Sequence, residues 1–225
     1  MSKKKSVIIV AGGKGLRMKS ELPKQFIELS GMPILMHTIS KFHSYDDDMK
    51  LVVVLPEEQI EFWNELCQRH SFNIPHIVVK GGSERFHSVR NGLKMISESN
   101  LVAIHDGVRP LVSSETIDRC FAEAERSGTA IPVVSLNDSI REITADGNET
   151  RSRNNYRLVQ TPQIFKTKLI KNAYDQEFST TFTDDASVVE AAGNKISLIE
   201  GNIENIKITT AADLHWAALY LTDVF

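Results

Sequence analysis

Apolar and polar residues alternate in blocks that predict strands and helices in turn over the first 135 residues. Short apolar runs rich in β-branched residues and bounded by turn residues are typical of buried strands. They occur at residues 7–10, 51–55, 74–79, 101–104 and 131–134. Amphipathic stretches between them predict helices over 57–70, after Ser83, and from Ser114 to a stop at Gly128, with both serines as N-caps. The alternation predicts an α/β fold with a mostly parallel sheet covered on both faces.

The rhythm changes over residues 137–160. Residues 139–143 alternate, a turn is expected around Asp146 and Gly147, and residues 151–159 resume an extended pattern. This predicts a β-hairpin that projects from the sheet. The hairpin has few apolar residues, and two strands alone are marginally stable. Either a second subunit or the chain's own domain would order it, and we expect the second subunit.

The last part of the chain returns to mixed elements. Helices are expected near 167–177 and 184–192, and strands at 195–199 and 206–208. Thr210 and Asp213 have the spacing of a capping box. They would open a final helix with Leu214, Ala218 and Leu221 on one face. We interpret residues 1–225 as one domain that includes the arm at 137–160.

Composition and charge exclude several classes of protein. The chain has 225 residues and a formal net charge of -3, so it has no global attraction for nucleic acid or an anionic membrane. An anionic ligand must be met by local positive charge. Cys67 and Cys120 lack a metal-binding spacing, the first apolar run is too short for a signal peptide, and no stretch predicts a membrane span,. We expect a cytoplasmic protein.

A glycine-rich loop follows the first predicted strand. Residues 11–18 read AGGKGLRM, and Lys14, Arg17 and Lys24 place three cations within eleven residues. Glycines let the backbone approach a ligand closely, and N–H groups can cradle phosphate oxygens. The loop is not a P-loop, and Met18 stands where a dinucleotide fingerprint needs a third small residue. An ordinary tight turn is the alternative, but the cations favour a polyphosphate site.

Other candidate residues follow later strands, because ligands of open parallel sheets bind beyond the carboxyl ends of strands. Gly81 and Gly82 could approach a base and ribose, although a capped turn is the simpler interpretation. Asp106 and Arg109 suit a polyol hydroxyl and a phosphate, with a local ion pair as the alternative. His105 is expected to be structural.

The order of short motifs carries a resemblance to a known family. The motifs are AGGKGLRM (11–18), PKQF (23–26), GGSERFHSV (81–89), HDGVRP (105–110), QTPQIF (160–165), TDDAS (183–187) and NIKIT (205–209). Together they resemble the 2-C-methyl-D-erythritol 4-phosphate cytidylyltransferases of the non-mevalonate isoprenoid route. The resemblance implies a homodimer of Rossmann-like subunits that exchange the β-arm. It also implies Mg²⁺ held chiefly by the phosphates of CTP.

The resemblance also assigns roles to individual positions. Those implied to hold the nucleotide are Ala11, Gly12, Gly13, Gly15, Gly82, Ser83, Ser88 and Gly107. Those implied to act on the reacting phosphates are Arg17, Lys24 and Lys207. Those implied to bind the acceptor are Asp106, Arg109, Ser139, Arg153, Thr161 and Thr183. Arg153 would reach the neighbouring subunit's acceptor phosphate. Gly12 and Gly107 depart from the family, which more often has alanine there.

The implied reaction transfers CMP from CTP to 2-C-methyl-D-erythritol 4-phosphate and releases pyrophosphate. A ribitol 5-phosphate cytidylyltransferase is the nearest alternative, because it shares the glycine loop and several other motifs. TDDAS and the position of Arg153 favour the methylerythritol enzyme. A regulatory nucleotide-binding domain is disfavoured by the retained cations, and a dinucleotide-dependent oxidoreductase by the missing third glycine.

Overall fold

A mixed β-sheet with helices on both faces organises the computed structural model, which describes residues 4–12, 22–97 and 99–222. The strands are β1 (Lys5–Val10), β2 (Glu28–Leu29), β3 (Met32–Pro33), β4 (Lys50–Leu55), β5 (Ile77–Lys80), β6 (Leu101–Asp106), β7 (Thr129–Ser135), β8 (Ile140–Thr144), β9 (Gly147–Arg151), β10 (Arg157–Val159), β11 (Gln163–Lys166) and β12 (Leu198–Glu200). The helices are α1 (Ile34–Tyr45), α2 (Ile60–Arg69), α3 (Arg85–Lys94), α4 (Ser114–Ser127), α5 (Thr167–Ala173), α6 (Asp185–Ala191) and α7 (Ala211–Thr222). Short 3-10 turns occupy Lys24–Phe26, Glu57–Gln59 and Arg153–Asn155.

The main sheet has the strand order β10-β7-β11-β6-β1-β4-β5, and β12 pairs in parallel with β7. Strands β5, β4, β1 and β6 are parallel neighbours. Strand β11 lies antiparallel between β6 and β7, and β10 is antiparallel to β7. The predicted α/β class is confirmed, and the parallel half of the sheet brings the carboxyl ends of four strands to one edge.

Strand β1 shows why its sequence is apolar without alternation. Val7 and Ile9 pack on the face covered by α1, α2 and α4, whereas Ile8 packs on the face covered by α3, α5 and α6. All three side chains are fully buried. Helix α7 closes a third cluster with β2 and the segment after β6. Among the described residues, no helix is long and apolar enough to cross a membrane.

Several predicted elements begin or end elsewhere. The strand expected at 74–79 is β5 at Ile77–Lys80, and the one expected at 195–199 is β12 at Leu198–Glu200. The strand expected at 206–208 is wrong. Ile208 is buried because it packs under α7, and its N–H donates to the carbonyl of Val108. Its alternating pattern therefore reflects burial of a loop and not sheet pairing.

Some of the predicted helix caps are confirmed, and others are wrong. The hydroxyl of Ser113 caps α4, one residue before the predicted Ser114, and Gly128 ends the helix with φ 101°. Ser83 does not cap α3, because the N-cap residue is Glu84 and its side chain makes no capping hydrogen bond. Ser83 Oγ instead lies 3.0 Å from His87 Nδ1. The predicted capping box of α7 is confirmed: Asp213 Oδ2 accepts from the N–H of Thr210, and Thr210 Oγ1 accepts from the N–H of Asp213.

The predicted arm is a hairpin, in which β8 and β9 form a separate two-stranded sheet. Residues 145–159 are all exposed, and Ile143 is 82% exposed. The hairpin does not fold back onto its own domain. The extended stretch predicted for 151–159 is broken by the 3-10 turn at Arg153–Asn155, and only β10 rejoins the main sheet.

Candidate active site

A cleft of about 330 Å³ opens where the parallel strands β1, β4, β5 and β6 end. Its position agrees with the rule that ligands bind beyond the carboxyl ends of strands in open α/β sheets. The lining residues are Val10, Ala11, Gly12, Lys24, Gln25, Val54, Leu55, Pro56, Gly81, Gly82, Ser83, Glu84, Arg85, Ser88, Asp106, Val108 and Lys207.

One wall of the cleft is backbone. Gly82 donates its N–H to Ser88 Oγ at 3.0 Å. A Cβ atom at Gly82 would lie 2.4 Å from the Cβ of His87, and one at Gly107 would lie 2.8 Å from the Cβ of Ala11. Both distances are shorter than carbon atoms tolerate, so glycine is required at these positions. In this chain, the close approach to Ala11 leaves no room for a methyl group at Gly107.

The floor of the cleft is Asp106, the last residue of β6, with a side chain 11% exposed. Its Oδ2 lies 3.1 Å from Lys207 Nζ and 3.2 Å from Arg109 Nε, and its Oδ1 lies 3.9 Å from Arg85 Nε. Burial alone would raise the pKa of this carboxyl. The cations Arg85, Lys207 and Arg109 outweigh burial and lower the pKa well below its usual range,. The floor is therefore one ionised carboxylate among three cations.

A second layer holds the floor from behind. The N–H of Asp106 donates to Thr161 Oγ1 at 3.1 Å, and that hydroxyl lies 3.0 Å from His105 Nδ1. His105 Nε2 lies 3.0 Å from the carbonyl oxygen of Arg109, which can only accept, so Nε2 carries the proton,. Burial lowers the pKa of His105 to about 4. The imidazole is neutral at pH 7, and Nδ1 accepts from Thr161. His105 is structural, as predicted.

The segment that carries Lys207 is tied to the same layer. Arg109 donates to the carbonyl of Asn205 at 2.7 Å, and Asn205 Nδ2 donates to the carbonyl of Thr161 at 2.8 Å. Gln160 Nε2 donates to the carbonyl of Asn202 at 2.9 Å. These bonds join three segments that are distant in sequence, and they fix the backbone at Thr161, Asn202 and Asn205.

The structure brings many of the predicted site residues together. Those that line the cleft are Ala11, Gly12, Lys24, Gly82, Ser83, Ser88, Asp106 and Lys207. Gly107 and Arg109 adjoin the floor, and Thr161 lies behind it. Gly13, Gly15 and Arg17 lie outside the described residues.

Three predicted acceptor-binding residues do not line this cleft within one chain. Thr183 is exposed just before α6. Ser139 and Arg153 are exposed on the arm, and the Arg153 guanidinium donates to the carbonyl of Asn137 in the same arm.

Sequence reasoning missed a buried charge cluster beside the cleft. Arg85 pairs with Asp185, which is fully buried and also accepts a hydrogen bond from Tyr174. Arg85 and Asp185 lie inside two of the recognised motifs. Nothing in either motif indicates that residues 100 positions apart form a pair.

Comparison with known proteins agrees with this geometry. Residues 6–223 match the family model for 2-C-methyl-D-erythritol 4-phosphate cytidylyltransferase. A curated protein of that name from Bacteroides fragilis is 55% identical over 217 residues, which cover 96% of this chain and 99% of the relative. Another, from Porphyromonas gingivalis, is 49% identical over 99% of this chain and 100% of its own length.

Solved structures are similar in fold as well as in sequence. The crystal structure of 4-diphosphocytidyl-2C-methyl-D-erythritol synthase from Anaerococcus prevotii has a TM-score of 0.82 and 29% identity, and covers 98% of this chain and 97% of its own. The family match spans the strands and loops that form the cleft, from β1 to α7. The chain therefore belongs to the 2-C-methyl-D-erythritol 4-phosphate cytidylyltransferase family.

Proposed function

We propose that the cleft is the active site in which this chain transfers CMP from CTP to 2-C-methyl-D-erythritol 4-phosphate and releases pyrophosphate. The observation that carries this assignment is the floor itself. A buried ionised carboxylate, Asp106, lies among Arg85, Arg109 and Lys207 at the end of β6, and Lys24 lines the same cleft. Such an arrangement holds positive charge in place before two phosphorylated substrates arrive.

The nucleotide would occupy the backbone wall. A Cβ atom at Gly81, Gly82 or Gly107 would lie too close to Ser88, His87 or Ala11, so the wall there is bare backbone. Backbone groups and small side chains there leave room for a pyrimidine ring. We assign this wall to cytidine and ribose, and the continuation of the glycine loop after Gly12 to the triphosphate. Gly13, Gly15 and Arg17 would belong to that loop.

The acceptor phosphate is the nucleophile. One of its oxygens attacks the α-phosphorus of CTP, a new P–O bond forms, and the bond to the β-phosphate breaks as pyrophosphate leaves. The acceptor phosphate is ionised near neutral pH, so no general base is needed. The protein must bring two anions together and neutralise their charge. We assign that task to Arg17, Lys24 and Lys207.

The acceptor itself would be held by Asp106, Arg109 and residues beyond the cleft. Asp106 Oδ1 can accept a polyol hydroxyl, and Thr183 lies on the segment before α6. Thr161 is placed behind the floor, where its hydroxyl bonds to Asp106 and His105. We therefore propose that Thr161 positions Asp106.

A divalent cation, which we propose to be Mg²⁺, fits this site through the nucleotide. Among the described residues, no group of three or more His, Cys, Asp or Glu side chains could hold a metal ion. The carboxylates in the cleft lining are Glu84 and Asp106, and one oxygen of Asp106 already pairs with two cations. Mg²⁺ is commonly bound by one or two carboxylates together with substrate phosphates. When bound, it would offset the negative charge of the triphosphate.

Two chains would complete each site through the arm. The hairpin of β8 and β9 is exposed, and a two-stranded hairpin is marginal alone,. We propose that it is ordered against a second copy of the chain. Ser139 and Arg153 would then reach the acceptor phosphate of the neighbouring subunit, and Arg153 would make a charge-assisted hydrogen bond.

The direct test is pyrophosphate release from CTP and Mg²⁺ with each of two acceptors, 2-C-methyl-D-erythritol 4-phosphate and ribitol 5-phosphate. We expect turnover with the first and at least a hundredfold lower kcat/KM with the second, about 2.7 kcal/mol of discrimination. Faster turnover with ribitol 5-phosphate would contradict the assigned acceptor. Binding of CTP without turnover on either acceptor would contradict the assigned reaction.

A further inference from the structure

We infer that Arg85 is a positioning residue for Asp106 and that buried Asp185 exists to hold Arg85 in that place. Arg85 is the first residue of α3, and Asp185 is the first residue of α6. The inference rests on the proposed role of Asp106 in binding the acceptor. It adds two residues that act on the reaction through Asp106.

The geometry on the Asp185 side is a two-pronged ion pair. Arg85 donates to Asp185 Oδ1 at 2.9 Å and to Oδ2 at 2.6 Å. Tyr174 donates its hydroxyl to Oδ1 at 2.6 Å. The planar guanidinium matches both oxygens of a carboxylate, so this contact fixes the plane of the Arg85 side chain. Tyr174 in turn is buried, with its ring stacked 4.7 Å from that of Phe86.

Asp185 has no exposed surface from which to serve a ligand. It is fully buried, whereas the side chain of Arg85 is 30% exposed and lines the cleft. A buried carboxylate is costly unless it is paired and hydrogen-bonded. Replacement of such a pair by apolar side chains is often neutral or stabilising. The pair is therefore poorly explained by stability alone, and its exposed end points to a role in the cleft.

On the cleft side, Arg85 faces the oxygen of Asp106 that the other cations leave open. Lys207 and Arg109 both contact Oδ2. Oδ1 faces Arg85 Nε across 3.9 Å, which is too long for a hydrogen bond,. Arg85 thus attracts Oδ1 without occupying its lone pairs. The carboxylate keeps one oxygen on Lys207 and Arg109 and presents the other to a hydroxyl of the acceptor.

Arg85→Lys tests whether the planar, two-pronged guanidinium of Arg85 is needed to position Asp106. A lysine retains the charge but cannot span Asp185 and Asp106 in one fixed plane. We expect kcat/KM for the acceptor to fall on the order of 100-fold, as for a small misplacement of a binding group, with little change in KM for CTP. The matched control is Arg126→Lys, because Arg126 makes a similar two-pronged pair with Glu123 on the outer face of α4. That variant should match the wild type.

The double variant Arg85→Gln/Asp185→Asn separates positioning from folding. It removes both charges together, so no buried charge is left unpaired, and a circular-dichroism melt reports whether it folds. If the pair serves only the fold, this variant regains wild-type kinetics and overturns the inference. If Arg85 positions Asp106, the variant folds and its acceptor kcat/KM stays low. Should it fail to fold, Arg85→Lys and the cycle below decide the question.

A double-mutant cycle shows whether Arg85 acts through Asp106. In an Asp106→Asn background, Arg85→Lys should lower kcat/KM by no more than about twofold further, because coupled residues are not additive. An undiminished loss in that background overturns the inference, and so does a rise in KM for CTP as the main effect of Arg85→Lys. Wild-type enzyme that releases no pyrophosphate would contradict the proposed function instead. The two failures are therefore distinct.

Discussion

The floor of the cleft and the arm both carry arginine side chains, but they hold them in opposite ways. At the floor, Arg85, Arg109 and Lys207 surround one carboxylate that is 11% exposed. On the arm, the guanidinium groups of Arg151 and Arg153 are exposed and contact acceptors of the same arm.

This difference has an energetic consequence. Exposed ion pairs contribute little, about 0–1 kcal/mol, and are screened by salt. A buried and fully bonded network is rigid, and its charges are in place before the substrates bind. The charges of the floor are therefore held within one chain, whereas we propose that the arm is completed by contact with a second copy of the chain.

The largest effect is expected at Lys24 and Lys207, which we propose act on the phosphates. Lys24→Ala and Lys207→Ala should each lower kcat by about 10²–10³-fold, by analogy with the loss of one oxyanion donor. Pyrophosphate release at saturating CTP and acceptor measures this. Because Lys207 also pairs with Asp106, a circular-dichroism melt of each variant checks that it is folded at the assay temperature. Lys94→Ala on α3 is the control, and its kcat should be unchanged. A wild-type kcat in both cleft variants would show that the cleft is not the active site.

The next effect is a loss of protein stability at acid pH that is caused by His105, which is buried behind the floor. The folded pKa of His105 is about 4, below its ordinary 6.5. Between these values the unfolded chain binds more protons than the folded chain, so the free energy of unfolding falls as the pH falls from 6.5 to 4. The span corresponds to about 3 kcal/mol. Below pH 4 this contribution does not decrease further.

Urea unfolding at pH 7 and pH 4.5, for the wild type and for His105→Gln, measures the effect. The amide lacks the titrating group, so the difference between the two pH values should be smaller in the variant. An equal difference in both proteins would show that other groups govern acid unfolding. The arm provides no comparable buried histidine among its residues 137–160.

The smallest expected effect is a difference in stability between alanine variants of Gly12 and Gly107, the two glycines that depart from the family. Gly107→Ala should destabilise the protein by about 1–3 kcal/mol, because the added methyl overpacks against Ala11,. Gly12→Ala should stay within about 0.5 kcal/mol, because among the described residues its Cβ would meet Pro56 atoms at 3.9 and 4.0 Å, an ordinary contact distance,. Thermal or urea unfolding of the two variants checks this. Equal destabilisation would mean that the close approach at Gly107 is not the constraint.

The elements of the fold could be predicted from the sequence to different degrees. Strand β1 and the turn at Gly128 follow from local patterns, so the sequence predicted them well. The segment at 206–208 was assigned wrongly, because alternation records burial and does not tell which neighbour covers the residues. Ile208 packs under α7 and not in the sheet.

The candidate site shows the same limit. Asp106 and Lys207 were found through short motifs, and they do lie together at the end of β6. The Arg85–Asp185 pair was missed because it joins two helices that are far apart in sequence. Long-range pairing of charges depends on the packed fold, and no local spacing encodes it. The arm was predicted as a hairpin, but its partner cannot be read from one chain.

The most direct test of the account mixes two inactive variants, Lys24→Ala and Arg153→Ala, under conditions that allow subunit exchange. Exchange is verified separately with differently tagged chains. In a mixed dimer, one site receives both substitutions and the other receives neither, so the account predicts that pyrophosphate release returns to as much as about a quarter of the wild-type rate for random pairing. If exchange is demonstrated and no activity returns, Arg153 acts within its own chain and the shared site is contradicted.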